Sequence, residues 1–115
     1  MATEPPYSRT REAAGLLFLA GILGRRDGEL VDGTRGQLEQ AFDNLEDLLS
    51  QHGLGNDQVV RLVCYLTDMA DMDALNDVFV QRYDEPRPVR STVAVSGIPG
   101  GATVEIEATA ELNPR

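Results

Sequence analysis

The chain has 115 residues, of which 42% are hydrophobic, and this suits one domain that buries roughly two thirds of its unfolded surface. Its formal net charge is −9, so we expect it to repel the phosphate backbone of nucleic acids. The chain has ten arginines and no lysine, which excludes a lysine Schiff base and covalently held pyridoxal phosphate. It has one histidine and one cysteine, which excludes a zinc site and a Ser-His-Asp or Cys-His triad.

The sequence shows no segment for membrane insertion or export. No apolar run approaches roughly 18 residues, and no basic segment followed by an apolar one opens the chain. We therefore expect a soluble, cytoplasmic protein with a single domain over residues 1–115, loose over residues 1–6. Cys64 lies in an apolar run, which predicts a buried core thiol and not a reactive one.

The first part of the chain predicts two strands. Residues 9–14 are a strand candidate, and the apolar run 16–20 between two glycines predicts a buried strand. Asp27 and Gly28 then predict a turn.

An amphipathic helix follows this turn. Thr34 and Gln37 predict a capping box at its start, and Gly53 predicts its end. Its apolar positions recur at helical spacing: Leu38, Ala41, Phe42, Leu45, Leu48 and Leu49.

The middle of the chain predicts a strand and a second helix. Residues 59–66 are largely apolar and predict a strand, and either Asp68 or Asp71 caps the helix after it. Pro86 and Pro88 end that helix. Its core face consists of Met72, Leu75, Val78 and Phe79.

The last part predicts a β-hairpin. Residues 91–95 are small and β-branched, and residues 103–110 alternate apolar with polar side chains. We expect the loop 97–101 to join them as an antiparallel pair. The order of elements is then β-β-α-β-α-β-β, an α+β fold with two helices on one face of a mixed sheet and nothing on the other.

The predicted hairpin brings two chemically useful side chains together. Thr92 lies opposite Glu105 in it, and Arg90 lies diagonal to Glu105 on the same face. Arginine can clamp a substrate carboxylate with two hydrogen bonds while a glutamate manages a proton or a water. On the hairpin alone an ordinary cross-strand salt bridge is the simpler interpretation, since such surface pairs contribute only about 0–1 kcal/mol.

A resemblance favours the functional interpretation. Residues 88–95 read P-V-R-S-T-V-A-V and residues 104–108 read V-E-I-E-A, which resembles the C-terminal signature of the Rid/YjgF family of enamine and imine deaminases. Further matches follow in the same order along nearly the whole chain. The resemblance implies a fold like that of trimeric chorismate mutase, and a homotrimer with three equivalent clefts between neighbours.

The resemblance also implies roles for particular residues. Arg90 would bind the substrate carboxylate, and Glu105 would position or activate water. The implied substrate-binding residues are Tyr7, Gly21, Asn76 and Thr92. Without the resemblance, Tyr7 is a residue of the N-terminal tail and Asn76 a polar position on the second helix.

Three positions depart from the family pattern. Ala20 and Ile22 stand where the family often has serine and glutamine, and Thr92 stands where many members have cysteine. These changes preserve carboxylate capture and bear on substrate preference.

The activity that the resemblance implies is hydrolysis of 2-enamine or 2-imine acids, of the 2-aminoacrylate or 2-iminopropanoate kind, to a 2-keto acid and ammonia. It needs no cofactor and no metal. The alternative is a non-catalytic protein that binds a 2-keto acid in the same cleft and regulates a partner. Endoribonuclease activity is a third interpretation, which the negative charge and the lack of a histidine pair disfavour.

Overall fold

The computed structural model describes residues 4–112. The strands in this range are β1 (Thr10–Ala13), β2 (Leu16–Leu23), β3 (Arg25–Arg26), β4 (Glu29–Leu30), β5 (Val59–Leu66), β6 (Val89–Ala94) and β7 (Val104–Glu111), and the helices are α1 (Thr34–Gln51) and α2 (Met72–Arg82). One sheet has the strand order β1-β2-β7-β5-β6, and β3 pairs with β4 in a separate hairpin around the predicted turn. Only β5 and β6 are parallel neighbours in the large sheet, so the predicted mixed α+β fold is confirmed.

Helix α1 forms as its apolar spacing predicts, but it begins differently. Its N-cap is Gly33, at φ 77°, and no side chain caps it. The predicted capping box is therefore wrong, because the Thr34 hydroxyl binds Thr103 and the Gln37 amide binds Val31 and Thr103. Gly53, at φ 72°, ends the helix as predicted, since only a residue without Cβ adopts this left-handed conformation at little cost.

Helix α2 follows a single 3-10 turn, Met69–Asp71. Of the two predicted caps, Asp68 acts on this turn by accepting a hydrogen bond from the Ala70 amide at 2.9 Å, whereas Asp71 makes no side-chain cap bond. The helix ends at Arg82, ahead of both prolines.

A cluster of charges ties α2 to α1. The mostly buried guanidinium of Arg82 lies 2.8 Å from Glu39, 2.9 Å from Asp43 and 3.0 Å from Glu46, all of them on α1. These bonds hold α2 against α1.

The core lies between the helices and one face of the sheet. Its fully buried members include Leu17, Leu38, Phe42, Leu45, Leu62, Leu66, Leu75, Val104 and Ile106. On the other face Phe18, Val89 and Val93 are 44%, 63% and 42% exposed, so the described residues leave that face uncovered, as predicted. The buried strand predicted over residues 16–20 is buried at alternate residues only, because Leu17 and Leu19 reach the core whereas Phe18 is exposed.

The predicted hairpin between β6 and β7 is wrong. Strand β5 lies between them, parallel to β6 and antiparallel to β7. Cys64 pairs with Thr92 on one side and with Ile106 on the other, while Tyr65 pairs with Val93 and with Glu105. Thr92 and Glu105 are therefore not opposite each other, and their side chains point to different faces of the sheet.

Two further expectations concern the N-terminal residues and the absence of a membrane-spanning segment. The loose N-terminus predicted over residues 1–6 falls partly outside the described residues. Within residues 4–112, no helix is both long and apolar enough to cross a bilayer.

Candidate functional site

Arg90 is the central side chain of the candidate site. It lies on β6, at an edge of the sheet, and pairs in register with the buried Leu62, which places it on the face covered by the helices. Its Nη2 donates to Oδ1 of Asn76 at 2.7 Å and lies 3.5 Å from Sδ of Met72, both on α2. The parallel pairing of β5 and β6 thus brings Arg90 against the second helix.

The guanidinium is fixed by two more contacts, both with neutral groups. Its Nε donates to the Thr92 hydroxyl at 3.0 Å, and Cζ lies 4.9 Å from the centroid of the Phe79 ring, a cation–π distance. Within residues 4–112 no carboxylate lies at ion-pair distance from Arg90, and no side chain binds its Nη1. An oriented arginine without a carboxylate partner can bind an external carboxylate.

Glu105 lies on the opposite face of the sheet from Arg90. It pairs in register with Tyr65 on β5 and with Leu23 on β2, on the face that the helices leave uncovered. The expectation that Arg90 and Glu105 share a face is therefore wrong, because it depended on the hairpin. Within one chain, the backbone of the sheet separates the two side chains.

The surroundings of Glu105 favour its protonated form. Burial, and after it the charge of Glu107, raises the pKa of the Glu105 carboxyl. A carboxylate with a raised pKa is a stronger proton acceptor, which is the property that general-base catalysis requires.

Gly21 brings the backbone of β2 against the Glu105 carboxylate. The register of β2 with β7 is irregular between Leu19 and Ile22, and Gly21 lies in this bulge. A methyl group added at Gly21 would overlap the Glu105 carboxylate. The missing side chain therefore makes the space that this carboxylate occupies.

We expect Gly21→Ala to displace the Glu105 carboxylate at little cost in stability, because that carboxylate is the end of a flexible side chain. Gly24→Ala serves as the matched variant, since its methyl group would meet the Gln37 backbone, and overpacking of this kind costs about 1–3 kcal/mol. Thermal unfolding of both variants tests this difference. Equal losses of Tm would contradict it.

Tyr7 lies on the N-terminal segment ahead of β1, with its side chain 62% exposed. Tyr7 and Gly21 line a cavity of about 540 Å³ between that segment, β2 and α1. Gly21 also adjoins Glu105, which does not itself line this cavity, so Gly21 is the link by which the six predicted residues form two groups of three. One group is Tyr7, Gly21 and Glu105, and the other is Asn76, Arg90 and Thr92.

Two residues near these groups were not predicted as part of a site. Phe79 was predicted only as a core residue, although it follows Asn76 by three positions and so shares its helix face, a usable signal. Tyr65 donates its hydroxyl to Oε1 of Glu107 at 2.6 Å. Nothing in the sequence of β5 indicates that contact.

Cys64 lies in the core beneath this region. Its side chain is fully buried, and burial raises the pKa of the thiol to about 11, so the predicted core thiol is confirmed. Across residues 4–112, no group of three or more His, Cys, Asp or Glu side chains is arranged to hold a metal ion.

Comparison with known proteins gives close matches over nearly the whole chain. The sequence model of a family described as Endoribonuclease L-PSP matches residues 1–112. A RutC family protein of Aquifex aeolicus (strain VF5) is 35% identical over 109 residues, covering 91% of this chain and 87% of that protein. The 2-iminobutanoate/2-iminopropanoate deaminase of Dermatophagoides farinae is 34% identical over 112 residues, covering 93% and 88%. The crystal structure of RidA from the Antarctic bacterium Psychrobacter sp. PAMC 21119 has a TM-score of 0.91 at 34% identity, covering 96% of this chain and 92% of that one.

Proposed function

Because this chain belongs to the Rid/YjgF family, we propose that it hydrolyses reactive 2-imino and 2-enamino acids to 2-keto acids and ammonia. The observation that carries the proposal is the Arg90 guanidinium, which is oriented by neutral acceptors and lacks a carboxylate partner among residues 4–112. A 2-imino acid carries the matching group, a carboxylate next to the electrophilic carbon of its C=N bond.

Arg90 binds the substrate carboxylate in this proposal. The Nε and Nη2 atoms of Arg90 already donate to Thr92 and Asn76, so the Nη1 end of the guanidinium is the part that binds the substrate carboxylate. Holding the carboxylate there fixes the neighbouring C=N carbon relative to the attacking water, and such orientation removes much of the entropic barrier.

The active site needs two subunits, because Arg90 and Glu105 leave opposite faces of the same sheet. A substrate with a three-carbon backbone cannot touch both within one chain, so Arg90 of one subunit works with Glu105 of its neighbour. The exposed Phe18, Val89 and Val93 on the uncovered face support its burial against another copy. Three copies around a threefold axis close such an assembly and form three equivalent clefts.

Glu105 manages the protons of the reaction. As the water oxygen bonds to the C=N carbon, Glu105 accepts a proton from the water and passes it to the nitrogen, which gives a carbinolamine. Glu105 then accepts the proton of the carbinolamine hydroxyl and transfers it to the nitrogen. The C=O bond forms as the C–N bond breaks, and ammonia leaves. One water is consumed, one ammonia leaves, and no electrons are transferred, so the reaction needs no redox cofactor.

Two other functions differ from the proposal in measurable ways. The endoribonuclease that the family description names would have to bind a polyanion, which the net charge of −9 opposes. A protein that only binds a 2-keto acid would use the same Arg90 without turnover.

An assay with freshly formed imine tests the proposal. An amino-acid oxidase generates the 2-imino acid, and keto-acid formation is followed with and without this protein. We expect the protein to accelerate the reaction well above the rate in buffer. An unchanged rate together with 2-keto acid binding would favour the non-catalytic alternative.

We expect the protein to be a trimer in dilute solution. Light scattering at micromolar concentration should give three times the chain mass of 12.5 kDa. A monomer mass would contradict the shared site, because Arg90 and Glu105 could then never act on one substrate.

A further inference from the structure

Glu105, Glu107 and Tyr65 form a cluster on the uncovered face of the sheet. The two glutamates are two residues apart on β7, so they share that face with their Cα atoms roughly 6–7 Å apart. Tyr65 lies directly opposite Glu105 on β5, yet its hydroxyl donates to Glu107 Oε1, at 2.6 Å. The tyrosine thus binds the carboxylate that the proposed reaction does not use.

The hydrogen bond holds the Glu107 charge against the sheet. Glu107 is exposed, and without a partner its carboxylate would be free to turn into solvent. A bond of this length to a carboxylate is short and charge-assisted, and such bonds are roughly twice as strong as neutral ones. The negative charge therefore stays beside Glu105.

We infer that Glu107, held by the Tyr65 hydroxyl, is a positioning residue whose negative charge makes Glu105 a stronger proton acceptor. The inference rests on the proposed function for the role of Glu105. It assigns Glu107 no contact with substrate, because Glu107 acts through Glu105.

Among the described residues, those that pair with Glu105 on its two neighbouring strands carry no charge. Strand β2 contributes Gly21 and Leu23, which do not titrate, and β5 contributes the neutral Tyr65. Arg61 lies four residues before Tyr65 on β5 and pairs with Thr109, at the far end of β7.

The pKa directions agree with this geometry. Burial and then the charge of Glu107 raise the pKa of Glu105. The hydrogen bond to Glu107, burial, and the charges of both glutamates raise the pKa of Tyr65, which Arg61 lowers. Removing the Glu107 charge should therefore lower the pKa of Glu105 and weaken it as a base.

The test compares Glu107→Gln with Glu111→Gln in the assembled protein. Glutamine at position 107 still accepts the Tyr65 hydrogen bond and removes only the charge. Glu111→Gln makes the same change of net charge on the same strand and face, about 20 Å from Glu105. Two readouts are used: the pH dependence of kcat/KM for the imine, and the titration of the Glu105 side-chain carboxyl carbon by NMR.

We expect the Glu105 carboxyl in Glu107→Gln to titrate at lower pH than in the wild type, and Glu111→Gln to titrate as the wild type does. The low-pH limb of kcat/KM should move in the same direction, so the ratio of Glu107→Gln to wild-type rate rises as the pH falls. Identical titrations of Glu105 in all three proteins would overturn the inference. Absence of turnover in the wild type would contradict the proposed function instead, because the NMR titration needs no reaction.

Discussion

Arg90→Ala is expected to lower kcat/KM for a small 2-imino acid by about 30- to 5,000-fold while the protein stays folded. Truncating one partner of a desolvated, hydrogen-bonded charge pair costs about 2–5 kcal/mol, and each 1.36 kcal/mol is a factor of ten in rate. The fold should tolerate the change, because Arg90 lies at an edge strand and lacks an ion-pair partner within residues 4–112. Keto-acid formation, circular dichroism and light scattering on the same preparation measure the three properties.

Two further variants make the Arg90 result specific. Arg90→Lys should recover little activity, because an ammonium cannot bind Thr92, Asn76 and a carboxylate in one plane. Arg26→Ala removes the same charge from the β3–β4 hairpin, where Arg26 binds Gln40, and should keep wild-type activity. Equal losses in Arg26→Ala and Arg90→Ala would point to net charge and contradict a role for Arg90 in binding.

Single strands and helices could be predicted because the patterns that indicate them lie in residues close together in the sequence. The strand over residues 59–66 has the predicted bounds, and the helix that Gly53 ends follows its apolar spacing. The start of that helix could not be predicted, because the Thr34 hydroxyl has a better partner in Thr103, 69 residues away along the chain.

Which strands pair with each other in the sheet could not be predicted from residues that are neighbours in the sequence. Two β-type runs around a glycine-rich loop are typical of a hairpin, but β5 lies between them in the sheet. No sequence pattern near the loop indicates that β5 pairs in parallel with β6. Alternation within a strand correctly placed Arg90 and Thr92 on one face, where they form a hydrogen bond. It could not place Glu105 relative to them, since that depends on which strand lies between.

The same limit explains which site contacts were missed. Phe79 beneath Arg90 and Tyr65 beside Glu105 depend on the packing of α2 on β6 and on the register of β5 with β7. Both are contacts between distant parts of the chain. The resemblance suggested the residue types, and the sheet that separates Arg90 from Glu105 is the reason that the proposed reaction uses two subunits.

Glu105→Gln is expected to lower kcat for imine hydrolysis by about 10²- to 10⁴-fold, the usual contribution of a positioned acid–base group. Glutamine keeps the shape beside Gly21 and cannot accept the proton from water, so the loss should fall on kcat and leave KM nearly unchanged. Arg90→Ala should instead weaken binding of the carboxylate.

Because burial and Glu107 raise the pKa of Glu105, the wild-type rate should fall on acidification at a higher pH than for an ordinary glutamate. This fall in rate at low pH should be absent in Glu105→Gln. Keto-acid production from pH 4 to 8, with Glu111→Gln as the matched charge control, measures both effects. A Glu105→Gln protein with wild-type kcat would contradict its role as the base, and a rise in KM alone would mean that Glu105 holds the substrate and does not move its protons.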